Sequence, residues 1–151
     1  MLDLKKCGSP IEKTFCKILL FFEKGLIEHG FDPQQQYKIP HNKGFFRVDF
    51  ALIHPNGKIV IELDGHQWHE KTKNQASGDK ARDRFLVAEG WRVLRFTGSN
   101  VFHNPCKCVA EVFDIIERMR LARFSPEFLA TWVHVTYDSE HTLKTVASSD
   151  F

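Results

Sequence analysis

Apolar residues recur by three and four from Phe15 through Leu19 and Phe22 to Leu26, the spacing of one buried face on a helix. Ser9-Pro10-Ile11-Glu12 stands just before this stripe and reads as a helix start. Ser9 can cap, Pro10 suits the first helical position, and Glu12 lies three residues beyond Ser9, as a capping box requires. The pattern predicts a helix from residue 10 to about Leu26, stopped near Gly30. Glu12 lies one step before Phe15 on the same stripe, so it is also a carboxylate directed at the edge of the core. From residue 45 the period shortens to two. Phe46, Val48, Phe50 and Leu52 fall on one face of a strand, with Phe45, Arg47, Asp49 and Ala51 on the other. His54-Pro55-Asn56-Gly57-Lys58 carries the turn signal Asn-Gly, and the β-branched run Lys58-Ile-Val-Ile-Glu-Leu-Asp64 ends at Gly65. The two runs predict an antiparallel hairpin.

A polar loop over 65–76 then leads to a helix from about Ser77 to Glu89, closed by Gly90, and Trp91–Phe96 reads as a further strand. Residues 97–105 read as turn. Val109, Val112, Phe113, Ile116 and Met119 carry helical spacing over about 107–123, and Pro126 ends that region. Trp132–Tyr137 is a candidate final strand before a polar tail. Helix, hairpin, helix, strand, helix implies an α/β domain in which helices cover a mixed sheet, because each apolar stripe needs a face to bury.

With 151 residues there is room for one domain with a full core and not for two ordinary ones. No apolar leader or membrane-length run stands out, ILLFF at 18–22 being far too short to span a bilayer, so a cytoplasmic protein is expected. Cys7, Cys16, Cys106 and Cys108 are too few and too uneven for a disulfide framework. Cys106 and Cys108 with His103 lack the usual zinc-ligand spacing and read as ordinary thiols. The net charge of +2 excludes a polybasic tail protein but not a locally organised charge pattern.

The acids are organised. Asp49 lies within one apolar strand, and Glu62 and Asp64 close the next, sharing a face because they are two apart. Gathering like charges at a sheet edge is costly unless something neutralises them, and a divalent cation does so. Magnesium is expected, with manganese as a substitute. Such an ion activates water and stabilises charge at phosphorus. Glu62 has a plainer role open to it, a cross-strand pair with Arg47. His66, Trp68 and His69 follow the acids in the loop, and a histidine there can accept a proton near neutral pH. Asp79 and Asp83 stack one turn apart; Asp79 reads as a helix cap, while Asp83 leans to a functional role. Between His66 and Arg95 seven Lys/Arg face four Asp/Glu, a basic border suited to a phosphodiester.

In these residues the chain resembles the PD-(D/E)XK nuclease superfamily, and more narrowly the very-short-patch-repair-like endonucleases and related mobile-element domains. The resemblance runs over about residues 9–120. It is carried by Ile61-Glu-Leu-Asp-Gly-His-Gln-Trp-His69, then Asp79-Lys-Ala-Arg-Asp83 and Gly90-Trp-Arg-Val-Leu-Arg-Phe96. It implies a restriction-endonuclease-like mixed β-sheet core flanked by helices and hydrolysis of DNA phosphodiester bonds. Asp49 resembles the strand aspartate that holds magnesium, Glu62 and Asp64 the second acidic element, and the Leu63 carbonyl a further ligand. His69 is similar to the histidine that activates water, Glu12 to the acid of the first helix, and Asp83 to an acid of the later helix. Asp64 stands where the superfamily commonly has lysine, which favours a histidine-assisted variant. The zinc site of the very-short-patch enzymes has no counterpart among the cysteines.

The expectation is a magnesium-dependent endonuclease acting on double-stranded DNA, as monomer or homodimer, leaving 5′-phosphate and 3′-hydroxyl ends. A non-catalytic nucleic-acid-binding or protein-interaction module with the same fold is the alternative. A small-molecule phosphatase is disfavoured by the lack of a glycine-rich phosphate cradle. Residues 1–125 read as the nuclease-like domain and 126–151 as an extension of unassigned role. In that extension Glu127, Asp138, Glu140 and Asp150 outweigh Lys144, a net of −3.

Overall fold

The computed structural model describes residues 1–65, 73–125, 127–128, 135–137 and 143–145. Its first helix, α1, spans Pro10–Glu28 with Ser9 in extended backbone as the cap, accepting the Glu12 N–H at 3.3 Å. Phe15, Leu19, Phe22 and Leu26 of the predicted stripe are fully buried, and Ile18 is buried beside them. Each such side chain contributes roughly 1.5–3 kcal/mol relative to exposure, so tertiary burial rather than intrinsic propensity holds the helix. Gly25 is fixed by a close approach: a Cβ there would run into the ring of Phe128, which packs on Phe22, Phe113 and Phe124. At least this part of the extension is therefore docked on the core.

The main sheet has the order β1-β2-β3-β4, from β1 (Asp32–His41), β2 (Gly44–His54), β3 (Gly57–Asp64) and β4 (Trp91–Thr97). The first three strands are antiparallel, and β4 lies parallel to β3. Parallel pairing requires a crossover, which α2 (Lys73–Ala88) supplies. Strand β1 has no counterpart in the sequence reading. Its composition, with Pro33, Pro40 and three consecutive glutamines, lacks strand character, and it is tolerated because β1 lies at the sheet edge, paired among the described residues with β2 alone.

The β2–β3 hairpin forms as predicted, but Pro55 and Asn56 make the turn and Gly57 begins β3 opposite His54. Gly57 is needed for space instead: a Cβ would stand 2.9 Å from Leu121 Cδ2. The predicted alternation of β2 is also corrected. Phe50 and Leu52 pack into one core cluster, whereas Val48 joins Ala51 and Val60 in the other, and Phe46 meets Phe85 of α2. The pleat slips by one residue at Asp49.

Helix α2 starts at Lys73, four residues before the expected Ser77, so the loop is shorter than the polar composition suggested. Asp79 consequently lies inside the helix and is not its cap. Residues 98–103, read as turn, form the short helix α3 (Gly98–His103), capped reciprocally by Thr97 and Asn100. Helix α4 spans Pro105–Arg118 and ends before the predicted 123. Arg120 adopts φ of +56° and the Leu121 N–H returns to the Ile116 carbonyl, a left-handed closure that stops the helix. Two short strands, β5 (Val135–Tyr137) and β6 (Leu143–Thr145), pair antiparallel in a separate small sheet.

Three layers result. The buried faces of α1 and α4, with Val101 of α3, cover one side of the main sheet through Phe50, Leu52, Ile59, Ile61, Leu63 and Phe96. Leu86 of α2 covers the other side with Ile39, Val48, Ala51, Val60 and Trp91. This is the restriction-endonuclease-like α/β architecture expected from the sequence. Among the described residues no helix is long and apolar enough to cross a membrane.

Candidate functional site

The β2–β3 ladder runs from His54↔Gly57 to Phe50↔Ile61 and stops. Two steps further, the same register would set Leu63 opposite Val48 and send its N–H to the Val48 carbonyl. Asp49 takes that N–H instead: its Oδ2 accepts from Leu63 N at 2.8 Å. The carboxylate thus ends the ladder, which is why the pleat slips there and why a charged residue sits between buried neighbours. Gln36 of β1, opposite Asp49 by continuation of the β1–β2 register, has φ of +50°.

Glu12 approaches this point from α1. Its Oε2 accepts from Gly8 N and from Gln36 Nε2, both at 2.9 Å, and its Oε1 accepts from the Ser9 hydroxyl at 2.9 Å. The capping box is therefore closed through Gly8 and the Ser9 hydroxyl, and the same carboxylate anchors the distorted point of β1. Helix cap and site share one side chain.

Glu62 and Asp64 lie on the α2 face, and each meets an arginine. Glu62 pairs with Arg82 of α2, not with the Arg47 side chain that the sequence offered; Arg82 Nη2 also donates to the Arg47 carbonyl at 2.7 Å. Arg95, the register partner of Glu62 on β4, contacts Asp64 at 3.4 Å and Asp83 at 2.6 Å. Asp83 is thereby linked to the sheet acids through a guanidinium. Arg82 Nε is buried without a hydrogen-bond partner among the described residues.

Burial raises the Asp49 carboxyl above its ordinary range, partly offset by the Leu63 N–H, with Glu12 and Asp64 pushing further up and Arg82 pulling down. Burial also pushes Glu62 up to about 7, against the attraction of Arg82 and with the repulsion of Asp49. Burial pulls Arg95 down, but Asp83, Asp64 and Glu62 together raise it, so it remains a cation.

The tertiary structure gathers Asp49, Glu62, the Leu63 backbone, Asp64 and Glu12 at one end of the sheet, with Asp83 joined through Arg95. Among the described residues no three His, Cys, Asp or Glu side chains are grouped as ligands for one ion. His69, with His66 and Trp68, lies outside the described residues. Cys108 is buried and Cys106 partly buried, and burial pushes both thiols up, Cys108 to about 11, in keeping with ordinary thiols.

Three site residues escaped the sequence reading. Arg82 carried a signal, since it precedes the buried Leu86 by one helical turn and so faces the sheet. Arg95 and Gln36 carried none, because their roles depend on strand pairing. Replacing Arg82 tests the electrostatics. The Glu62 carboxyl is raised in the fold, so its ionised form destabilises the native state as pH climbs from 4.5 through about 7. Arg82→Ala removes the cation that opposes this shift. Urea unfolding should show a loss of about 2–3 kcal/mol at pH 8, below the full cost of breaking a deeply buried pair because Arg82 is partly exposed. At pH 5, where Glu62 is protonated, the loss should be clearly smaller; equal losses at both values would refute the assignment.

Curated relatives match parts of the chain. An uncharacterized protein of Mycobacterium tuberculosis, Rv2248, is 29% identical over 99 residues, covering 64% of this chain and 35% of its own length. An uncharacterized protein of Haemophilus influenzae is 35% identical over 81 residues, 54% of this chain and 48% of that protein. Uncharacterized protein YcjD of Escherichia coli is 28% identical over 83 residues, 55% and 66% respectively. The chain thus spans only about a third of the Mycobacterium relative and half of the Haemophilus one. Residues 22–116 match the family REase_MTES_1575, a stretch that takes in α1 from Phe22, the whole main sheet, α2, α3 and nearly all of α4. With well over half of its length matched and the acidic sheet end inside the match, the chain belongs to the REase_MTES_1575 family, within the broad PD-(D/E)XK-like nuclease superfamily.

Proposed function

We propose that the protein is a metal-dependent DNA endonuclease of the very-short-patch-repair-like kind. The observation that carries this reading is the Asp49 carboxylate held on the Leu63 N–H where β2 and β3 part, with Glu12 and Asp64 close enough to push the Asp49 carboxyl up and Asp49 and Asp64 close enough to push Glu62 up. In a ladder position of this type N–H and C=O point to the same side, so the Leu63 carbonyl is directed toward Asp49 as well. The donors are then all oxygen, as magnesium or manganese prefers, and Asp49 and Glu62 carry negative charge that the fold penalises and a cation relieves. Asp49, the Leu63 carbonyl and an acid of the 62–64 pair would hold the ion. When bound it supplies Lewis-acid stabilisation at phosphorus and lowers the pKa of a coordinated water.

The chain's own groups do the rest. His69 takes the proton of the attacking water, Glu12 and Asp83 position that histidine or a neighbouring water, and Arg82 and Arg95 offer positive charge to the phosphodiester. Double-stranded DNA is the substrate in this reading, and the products carry 5′-phosphate and 3′-hydroxyl ends. The test is incubation of the purified chain with supercoiled plasmid and magnesium or manganese, against EDTA. Nicked or linear DNA only with metal supports the reading, and intact plasmid under every condition sinks it. His69→Ala should lower cleavage at least about 100-fold, in the range expected for loss of a general base. It should leave the melting temperature unchanged, and wild-type cleavage by this variant would remove His69 from the mechanism.

One observation favours a second reading. Glu62 and Asp64 each already have an arginine partner, Arg82 and Arg95 respectively. In a non-catalytic nucleic-acid-binding module this network would be a structural end to the sheet. Metal-independent DNA binding without cleavage is its expected result.

A further inference from the structure

The proposed activity leaves open how the protein holds its DNA. The hairpin β1–β2 continues past the last β2–β3 pair at Phe50↔Ile61 as a two-stranded arm from Tyr37 to Val48. Over those residues the chain carries Lys38, Lys43 and Arg47 and no carboxylate. Tyr37, Ile39, Phe46 and Val48 pack toward α2. The slip at Asp49 turns the alternate residues, Lys38, Pro40, Phe45 and Arg47, to the opposite side, where all four are exposed.

Two features of that face argue against a purely structural purpose. Lys38 and Arg47 are direct partners across the ladder, an arrangement of like charges that destabilises a sheet. Among the described residues no carboxylate pairs with Lys38, Lys43 or Arg47. Phe45 is 52% exposed, with the Lys38 ammonium 4.4 Å from its ring centre, so an apolar surface is held between cations. A polyanion relieves the repulsion and covers the ring.

We infer that this arm is a DNA-binding ribbon that lies with its Lys38–Phe45–Arg47 face in the major groove of duplex DNA beside the reactive phosphate. A two-stranded ribbon has the width that groove admits, and helix α2 behind it supplies a rigid backing. Lys38, Lys43 and Arg47 engage phosphates or base edges, and Phe45 offers apolar contact such as a thymine methyl takes. Lys43 at the tip is six residues from Asp49, on the order of 20 Å of strand. The arm therefore reaches about six base pairs to one side of the reactive phosphate at 3.4 Å per step. This placement beside the reactive phosphate rests on the nuclease reading, whereas the groove contact itself does not.

The test measures binding apart from cleavage, by fluorescence anisotropy of the full chain with a 25-base-pair duplex in EDTA at several salt concentrations. The triple variant Lys38→Gln, Lys43→Gln, Arg47→Gln should bind at least about 10-fold more weakly at low salt. Its slope of log affinity against log salt should be shallower by about 2 to 3, near one per lost phosphate contact. Its melting temperature should hold or rise, because a repulsive pair is gone. The charge-preserving variant Lys38→Arg, Arg47→Lys should keep the wild-type slope. An unchanged affinity and slope in the triple variant overturns the inference even if the wild type cuts plasmid. Arm-dependent binding by a protein that never cuts supports the ribbon while removing the nuclease reading. Equal arm-dependent binding to an RNA duplex, whose major groove is too narrow for a ribbon, would overturn the groove assignment.

Discussion

Asp49→Asn is expected to lower metal-dependent plasmid cleavage by about 1,000-fold or more, equivalent to roughly 4 kcal/mol of transition-state stabilisation. The substitution separates charge from geometry. Asparagine keeps an oxygen to accept the Leu63 N–H, so β2 and β3 should part in the same place, but it no longer offers a carboxylate to a cation. The stability change has the opposite sign to the activity change. Because the folded protein raises the Asp49 carboxyl, its ionised form is disfavoured in the native state above that raised value. A neutral amide removes the penalty, so at pH 8 the variant should melt at the same temperature as the parent or higher. Cleavage at the parental rate would exclude Asp49 as the central acid. A sharp fall in melting temperature would show that the charge itself holds the strands.

Phe15→Ala is expected to cost about 3–5 kcal/mol, the range for removing a buried phenyl ring and leaving a cavity. Phe15 is wholly buried, with its ring centre 5.4 Å from Phe50 and 5.9 Å from Phe96. It therefore joins α1 to the residue next to Asp49 and to β4 beside Arg95. Domains are stable by about 5–15 kcal/mol in total, so this one truncation consumes a large part of the margin. Urea unfolding should show a lower midpoint with an unchanged slope, and a loss below about 1 kcal/mol would mean the core does not rest on this contact. Asp49 should also become less well placed, since Phe50 loses the surface that sets its rotamer and backbone.

The two substitutions probe parts of the protein that differed in how legible they were from sequence. Phe15, Leu19, Phe22 and Leu26 lie on one helix, and their burial follows from a period that needs no knowledge of the partner surface. Ser9, Pro10 and Glu12 set the start of α1 for a similarly local reason, and the Lys58–Asp64 strand read plainly from its β-branched run. Strand β1 was not legible because an edge strand can be held by backbone pairing alone, whatever its side chains prefer. The slip at Asp49 was hidden for a related reason. Alternation predicts faces only while the ladder is regular, and a side chain substituting for a backbone acceptor breaks it.

The candidate acids were legible as residue types at suggestive spacings, whereas their partners were not. By itself the sequence determined the buried face of α1, the hairpin, the strand that follows α2, and the presence of Asp49 within one strand with Glu62 and Asp64 closing the next. These are consequences of periodicity, capping and turn chemistry, which act within a few residues. Only the tertiary structure decided that Arg82 rather than Arg47 meets Glu62, that Arg95 links Asp64 to Asp83, and that Gln36 holds Glu12. Each of these contacts joins residues 12 to 31 positions apart. Pairing over such separations is selected by the burial of whole faces, an energy that belongs to the assembled layers and to no local segment.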